Sequence, residues 1–132
     1  MRVLVVEDDH ISAMVIREIL APLGVAEVAE NGLVAVSKFR NALERGESYD
    51  CVFLDIMMPE MDGHETLECI RSIEQEHDIW GLDAVKVVMI TALGDFENVR
   101  KSFRGQCDAY LVKPIRRNKI LSAVRDLGFA VP

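Results

Sequence analysis

Five short apolar runs alternate along the chain with longer stretches in which apolar residues recur every third or fourth position. The first run, Arg2-Val3-Leu4-Val5-Val6, is nearly continuous and β-branched, which fits a strand buried on both faces. It stops on Glu7-Asp8-Asp9. Ile11, Met14, Val15, Ile19 and Leu23 then predict a helix, with Asp9 placed to cap it and Pro22 and Gly24 to end it. Val25 to Ala29 predicts a second strand. Asn31-Gly32 signals a turn, but Leu33, Val36, Phe39 and Leu43 follow at helical spacing, and Gly46 closes that helix. Cys51 to Asp55 is the third strand. Asp62 is the predicted cap of a third helix, from Gly63 to about Gln75, with Leu67, Ile70 and Ile73 facing inward. A polar connection from Glu76 to Ala84 contains Trp80. Val85 to Thr91 is the fourth strand. Phe96, Val99 and Phe103 mark a fourth helix, with Gly105 just past its end. Cys107 to Val112 is the fifth strand and runs into Lys113-Pro114. Ile120, Leu121, Val124 and Leu127 define the last helix.

This is β-α repeated five times, with connections that suit crossover helices. It predicts an α/β fold: a doubly wound parallel sheet with right-handed crossovers and helices on both faces. At 132 residues the expectation is a single domain over 1–132, with no output domain.

Composition narrows the function. The chain has 15 Lys and Arg against 22 Asp and Glu, a net charge of −7, which argues against a nucleic-acid surface. Cys51, Cys69 and Cys107 lie far apart in apolar contexts without Cys-x-x-Cys spacing, so they read as reduced core thiols and not as a zinc site. His10, His64 and His77 lack ligand spacing and read as surface residues. No apolar run reaches membrane-spanning length and no signal peptide precedes the first strand, so the reading is a cytoplasmic protein without membrane insertion.

The informative strands finish on Glu7-Asp8, Asp55, Thr91 and Lys113. In a parallel sheet these ends share one edge, where open α/β folds bind ligands. Taken singly, each residue has an ordinary explanation as a cap, turn residue or solvated charge. Their coincidence at corresponding strand ends does not. Clustered carboxylates repel one another unless a cation sits among them. Hard oxygen ligands without His or Cys suit Mg²⁺. A metal and a lysine would neutralise an incoming phosphoryl group, Asp55 could attack its phosphorus, and Thr91 could bond a phosphoryl oxygen.

At this point the chain resembles the receiver domains of two-component response regulators, the CheY-like family. The resemblance rests on Val-Val-Glu-Asp at 5–8, Leu-Asp-Ile-Met-Met-Pro at 54–59 with Asp62-Gly63, Ile-Thr-Ala at 90–92 and Asp-Ala-Tyr-Leu-Val-Lys-Pro at 108–114, and it covers essentially the whole chain. It implies strand order 2-1-3-4-5. It further implies that Asp55 is the phosphoacceptor and that Asp8, Asp55 and the Met57 backbone carbonyl ligate Mg²⁺ (or Mn²⁺), with Glu7 acting through water. Lys113 would pair with the phosphoryl group, and its bond to Pro114 would be cis. Thr91 and Tyr110 would form the switch pair, read out on the face built from the fourth helix, fifth strand and fifth helix. Ala92 would leave the phosphate approach open. The implied donor is a sensor histidine kinase or a histidine phosphotransfer protein, and the implied output is a downstream protein contact or a phosphorylation-dependent dimer through that face.

Met57 and Leu93 hold positions that tune loss of the phosphoryl group in this family. Both are apolar here and cannot orient water, so slow self-dephosphorylation is expected. Arg100, Lys101, Arg104, Arg116, Arg117 and Lys119 make the signalling side basic, as solvated charges or as a docking surface. Trp80, away from Asp55, is expected to report metal poorly. Three rival readings are weaker. A haloacid-dehalogenase-type phosphatase wants an Asp at position 57. A flavin or nucleotide module wants a Gly-, Ser- or Thr-rich loop where Glu7-Asp8-Asp9 stands. A binding-only pseudo-receiver usually lacks one key residue. Starting on the first strand favours a natural N-terminus, but stand-alone regulator and fragment of a longer chain both remain open.

Overall fold

The computed structural model describes residues 1–58, 60–95, 97, 100 and 106–131. Strands β1 (Arg2–Val6), β2 (Val25–Ala29), β3 (Cys51–Asp55), β4 (Lys86–Thr91) and β5 (Ala109–Val112) form one sheet in the order β2-β1-β3-β4-β5. Every pairing is parallel; Val6 stands beside Leu54 and Asp55 beside Ile90. Helices α1 (His10–Leu20), α2 (Gly32–Glu44), α3 (Gly63–Glu76) and α4 (Arg117–Asp126) cover it. The helix expected around Phe96, Val99 and Phe103 lies outside the described residues.

Strand alternation divides the core into two. Leu4, Val6, Val52, Leu54, Val87 and Met89 face α2 and α3. Val3, Val5, Phe53, Val88, Ile90 and Leu111 face α1 and α4. Each fully buried Leu, Ile or Phe contributes about 1.5–3 kcal/mol relative to exposure. Three helices begin at side-chain caps: Asp9 accepts from the Ile11 N–H, Asn31 from Val34 and Asp62 from Glu65.

The helix faces correct the sequence reading. α1 turns Ala13, Ile16 and Leu20 to the sheet and leaves Ile11, Met14 and Val15 in solvent, with Ile11 72% exposed. α2 buries Ala35, Phe39 and Ala42, while Val36 and Leu43 pack at the margin and Leu33 is exposed. Small alanines let a crossover helix lie close to the sheet, so the larger apolar residues beside them are carried outward. In α3 the expected Leu67, Ile70 and Ile73 are buried, and Glu74 joins them. Of the cysteines only Cys51 is a core residue; Cys69 and Cys107 are half-buried. β4 and β5 start one and two residues later than their apolar runs.

Candidate functional site

The carboxyl ends of β1, β3 and β5 deliver four charged groups to one place. Glu7 follows β1, and its N–H donates to the Ala29 carbonyl of β2 at 3.1 Å. Asp55 is the last residue of β3, between β1 and β4, and is 2% exposed. Lys113 follows β5 and is tied back to β4 by its N–H on the Thr91 carbonyl at 2.8 Å. The Lys113–Pro114 peptide is cis. Lys113 Nζ donates to Asp55 Oδ2 at 3.1 Å and lies 3.9 Å from Glu7 Oε1. Asp55 Oδ1 accepts from the Met57 N–H at 3.1 Å. Carboxylate oxygens of Glu7, Asp8 and Asp55 all lie within 4.8 Å of one another, with Asp8 on the solvent side.

Three acids face one ammonium. Glu7 is 2% exposed, and its Oε2 is the single buried side-chain nitrogen or oxygen without a hydrogen-bond partner among the described residues. Burial first, then the adjoining Asp55, push its carboxyl well above the ordinary glutamate value. Partial burial alone would lower Lys113, but its hydrogen bond to Asp55 and the surrounding acids outweigh this and raise it. A buried orphan oxygen beside two more carboxylates has two remedies, a proton or a cation. These all-oxygen donors fit a hard divalent cation.

The backbone beneath Asp55 is held from below. Gly63 opens α3 with its N–H on the Ile56 carbonyl at 3.0 Å. A Cβ at Gly63 would stand 2.7 Å from Ile56 Cα and 2.9 Å from the Asp55 carbonyl, so only glycine permits this approach.

The remaining candidates lie around this centre. Thr91 is buried at the end of β4, and its hydroxyl donates to the Ala92 carbonyl at 3.3 Å, not to Asp55. Ala92 is exposed. Tyr110 is half-buried on β5, and its hydroxyl donates to the Arg100 carbonyl at 3.3 Å. Thr91 and Tyr110 therefore hold separate partners. The Met57 side chain is exposed. Leu93 stands in a short 3-10 turn, and its side chain lies outside the described residues. Trp80 is exposed in the α3–β4 connection, where its Nε1–H donates to Asp78. An apolar groove of about 250 Å³ runs from Glu7 and Lys113 between Ile11, Val15 and Ile115. Nothing in the sequence reading anticipated this groove, because Ile11 and Val15 were used there only as markers of a helix.

A doubly wound parallel sheet with an acidic, cation-ready pocket at the strand ends defines the class. The chain belongs to the response regulator receiver domain family, whose model matches residues 3–125. It is 38% identical over 125 residues to the chemotaxis protein CheY of Treponema pallidum, across 93% of this chain and 79% of that one. It is 34% identical over 134 residues to probable histidine kinase 2 of Oryza sativa subsp. indica, across 94% of this chain but only 12% of the kinase. The receiver domain of the Francisella response regulator 1452 superposes with a TM-score of 0.72 at 28% identity, covering 96% of this chain and 94% of that one. The chain thus spans about an eighth of the rice histidine kinase that it matches. The family is one of signalling modules in two-component systems. Among the described residues no helix is long and apolar enough to cross a membrane.

Proposed function

We propose that the protein is a phosphoacceptor: Asp55 takes a phosphoryl group from a phosphohistidine, and the change is read out at Thr91 and Tyr110. The observation that carries this reading is the orphaned Glu7 oxygen inside a trio of acids, with Lys113 already on the reactive carboxylate. Asp8, Asp55, the Met57 backbone carbonyl and, through water, Glu7 would hold Mg²⁺ or Mn²⁺. The cation would supply charge neutralisation for the transferring group.

In the reaction an Asp55 oxygen bonds to phosphorus, the phosphorus–nitrogen bond of the donor imidazole breaks, and that nitrogen leaves with the electron pair. Lys113 is positioned to follow the charge from the free carboxylate onto a phosphoryl oxygen. The Thr91 hydroxyl can exchange the Ala92 carbonyl for another phosphoryl oxygen. Tyr110 would answer by moving inward, biasing an existing equilibrium of the signalling face. With only apolar groups at Met57 and Leu93, the acyl phosphate should be long-lived. Ile11, Met14 and Val15, with the groove beside Lys113, offer the donor protein an apolar rim next to Asp55. The net charge of −7 fits protein partners better than nucleic acid. We place the protein in the cytoplasm, with a histidine kinase or a histidine phosphotransfer protein upstream.

Intact-mass spectrometry after incubation with acetyl phosphate and Mg²⁺ tests this. One added phosphoryl group is expected on the wild type, and none without Mg²⁺ or in Asp55→Asn. An unmodified wild type under conditions that load another receiver would refute the reading and favour a module that signals by contact alone.

A further inference from the structure

The pole of the sheet opposite Asp55 carries a second charged cluster, built around Arg71 on α3. Its Nε and Nη2 donate to the Gln106 carbonyl at 3.3 and 3.1 Å. Its Nη1 donates to Glu74 Oε1 at 2.8 Å and to the Val85 carbonyl at 2.9 Å, and Nη2 stands 3.5 Å from Asp108 Oδ2. Glu74 completes the grip on Val85 by accepting its N–H at 2.6 Å on Oε2. Asp108 holds Val87 from both sides: its side chain accepts the Val87 N–H and its own N–H donates to the Val87 carbonyl, each at 2.8 Å. One guanidinium therefore binds the residues that lead into β4 and those that lead into β5.

β5 is an edge strand, with β4 as its sheet neighbour on one side only. It carries Tyr110 and leads to Lys113. An edge strand can slide or lift more easily than a central one, and such freedom would absorb a displacement begun at the far end of β4. We propose that Arg71 is a positioning residue that fixes the start of β5, so that events at Asp55 and Thr91 are transmitted to Tyr110. This rests on the phosphoacceptor reading. The coupling runs through β4: Thr91 at its end meets the reaction, Val85 and Val87 at its start are held by the Arg71 cluster, and the same cluster seats Gln106 and Asp108 just before Tyr110. Arginine suits the task because its planar fork reaches two carbonyls and two carboxylates at once. Lysine carries the same charge but cannot span them.

The test uses the two tyrosines of the chain, Tyr49 and Tyr110. Protein labelled with 3-fluorotyrosine is titrated with Mg²⁺ and beryllium trifluoride, an acyl-phosphate mimic whose own fluorine signal reports occupancy of Asp55. Tyr110→Phe assigns the resonances. In the wild type the Tyr110 resonance should move on saturation and that of buried Tyr49 should stay. In Arg71→Lys the mimic should bind within about twofold of the wild type while the Tyr110 displacement falls by roughly half or more. A lowered melting temperature alone would not change that displacement, so a purely structural role for Arg71 is separable. Full displacement in Arg71→Lys overturns the proposal and leaves the phosphoacceptor reading intact. No bound mimic on the wild type removes both. If Arg71→Lys does not fold, Asp108→Asn serves instead: it keeps an oxygen for the Val87 N–H, loses the charge facing Arg71, and should reduce the displacement, an unchanged one again overturning the proposal.

Discussion

Glu7 and Glu74 are equally buried glutamates at opposite ends of one sheet, 2% and 3% exposed. Glu74 has both oxygens occupied, one by Arg71 and one by the Val85 N–H. Glu7 has one oxygen with no partner and a lysine 3.9 Å from the other. Burying a carboxylate costs several kcal/mol unless each oxygen is bonded. Glu74 meets that demand inside the fold and belongs to the scaffold. Glu7 leaves the demand open at the carboxyl edge of the sheet, beside Asp8 and Asp55. The two acids differ in the completeness of the bonding around them, and that difference is what sets the proposed functional acid apart from the structural one.

The same substitution at both positions makes the contrast measurable. Glu74→Gln keeps one acceptor but loses the ion pair, and it should lower stability by about 1.5–3 kcal/mol in urea denaturation. Glu7→Gln replaces a carboxyl that burial already holds toward its neutral form. In metal-free buffer near neutrality it should change stability by less than about 1 kcal/mol. Its effect belongs to the cation: adding Mg²⁺ should raise the melting temperature of the wild type and raise that of Glu7→Gln by less, as ligand linkage requires. Equal Mg²⁺ responses would mean that Glu7 takes no part in the metal site, and the comparison would fail. The smallest effect is expected at the rim of the acidic edge. Ile11→Ser should shift stability by no more than about 0.5 kcal/mol, since Ile11 is already in solvent. A loss of several kcal/mol would return Ile11 to the core and remove the apolar rim from consideration.

The strands and the residues at their ends were legible in the sequence, because a doubly buried parallel strand is a continuous apolar run and its first polar residue marks the rim. Strand order came from the family resemblance and agrees with the structure. Helix faces were less legible. In α1 two apolar stripes compete: Ile11, Met14 and Val15 are the outer one, and Ala13, Ile16 and Leu20 the inner. Ala13, Ile16 and Leu20 also recur at helical spacing, so periodicity alone does not choose between the two sets, and the structure buries the one that includes the small Ala13. The Arg71 cluster was also missed. Glu74 follows Ile70 by four residues and so stands in the apolar phase of α3. A carboxylate in that phase calls for a cation one turn away, and Arg71 is three residues back. Asp108 comes from the connection just before β5, and only the assembled sheet brings it alongside.

Gly63 leads to one more consequence. A methyl group there would press on Ile56 Cα and on the Asp55 carbonyl, at 2.7 and 2.9 Å. Both contacts are backbone, so no neighbouring rotamer can relieve them. In a saturation library, most surface positions would answer differently to a screen for soluble expression and a screen for signalling output. Position 63 should return glycine in both, because the turn that lets α3 dock is also the turn that supports Asp55, the proposed phosphoacceptor. Sequencing the two surviving pools would therefore show at this position a constraint that folding and signalling share.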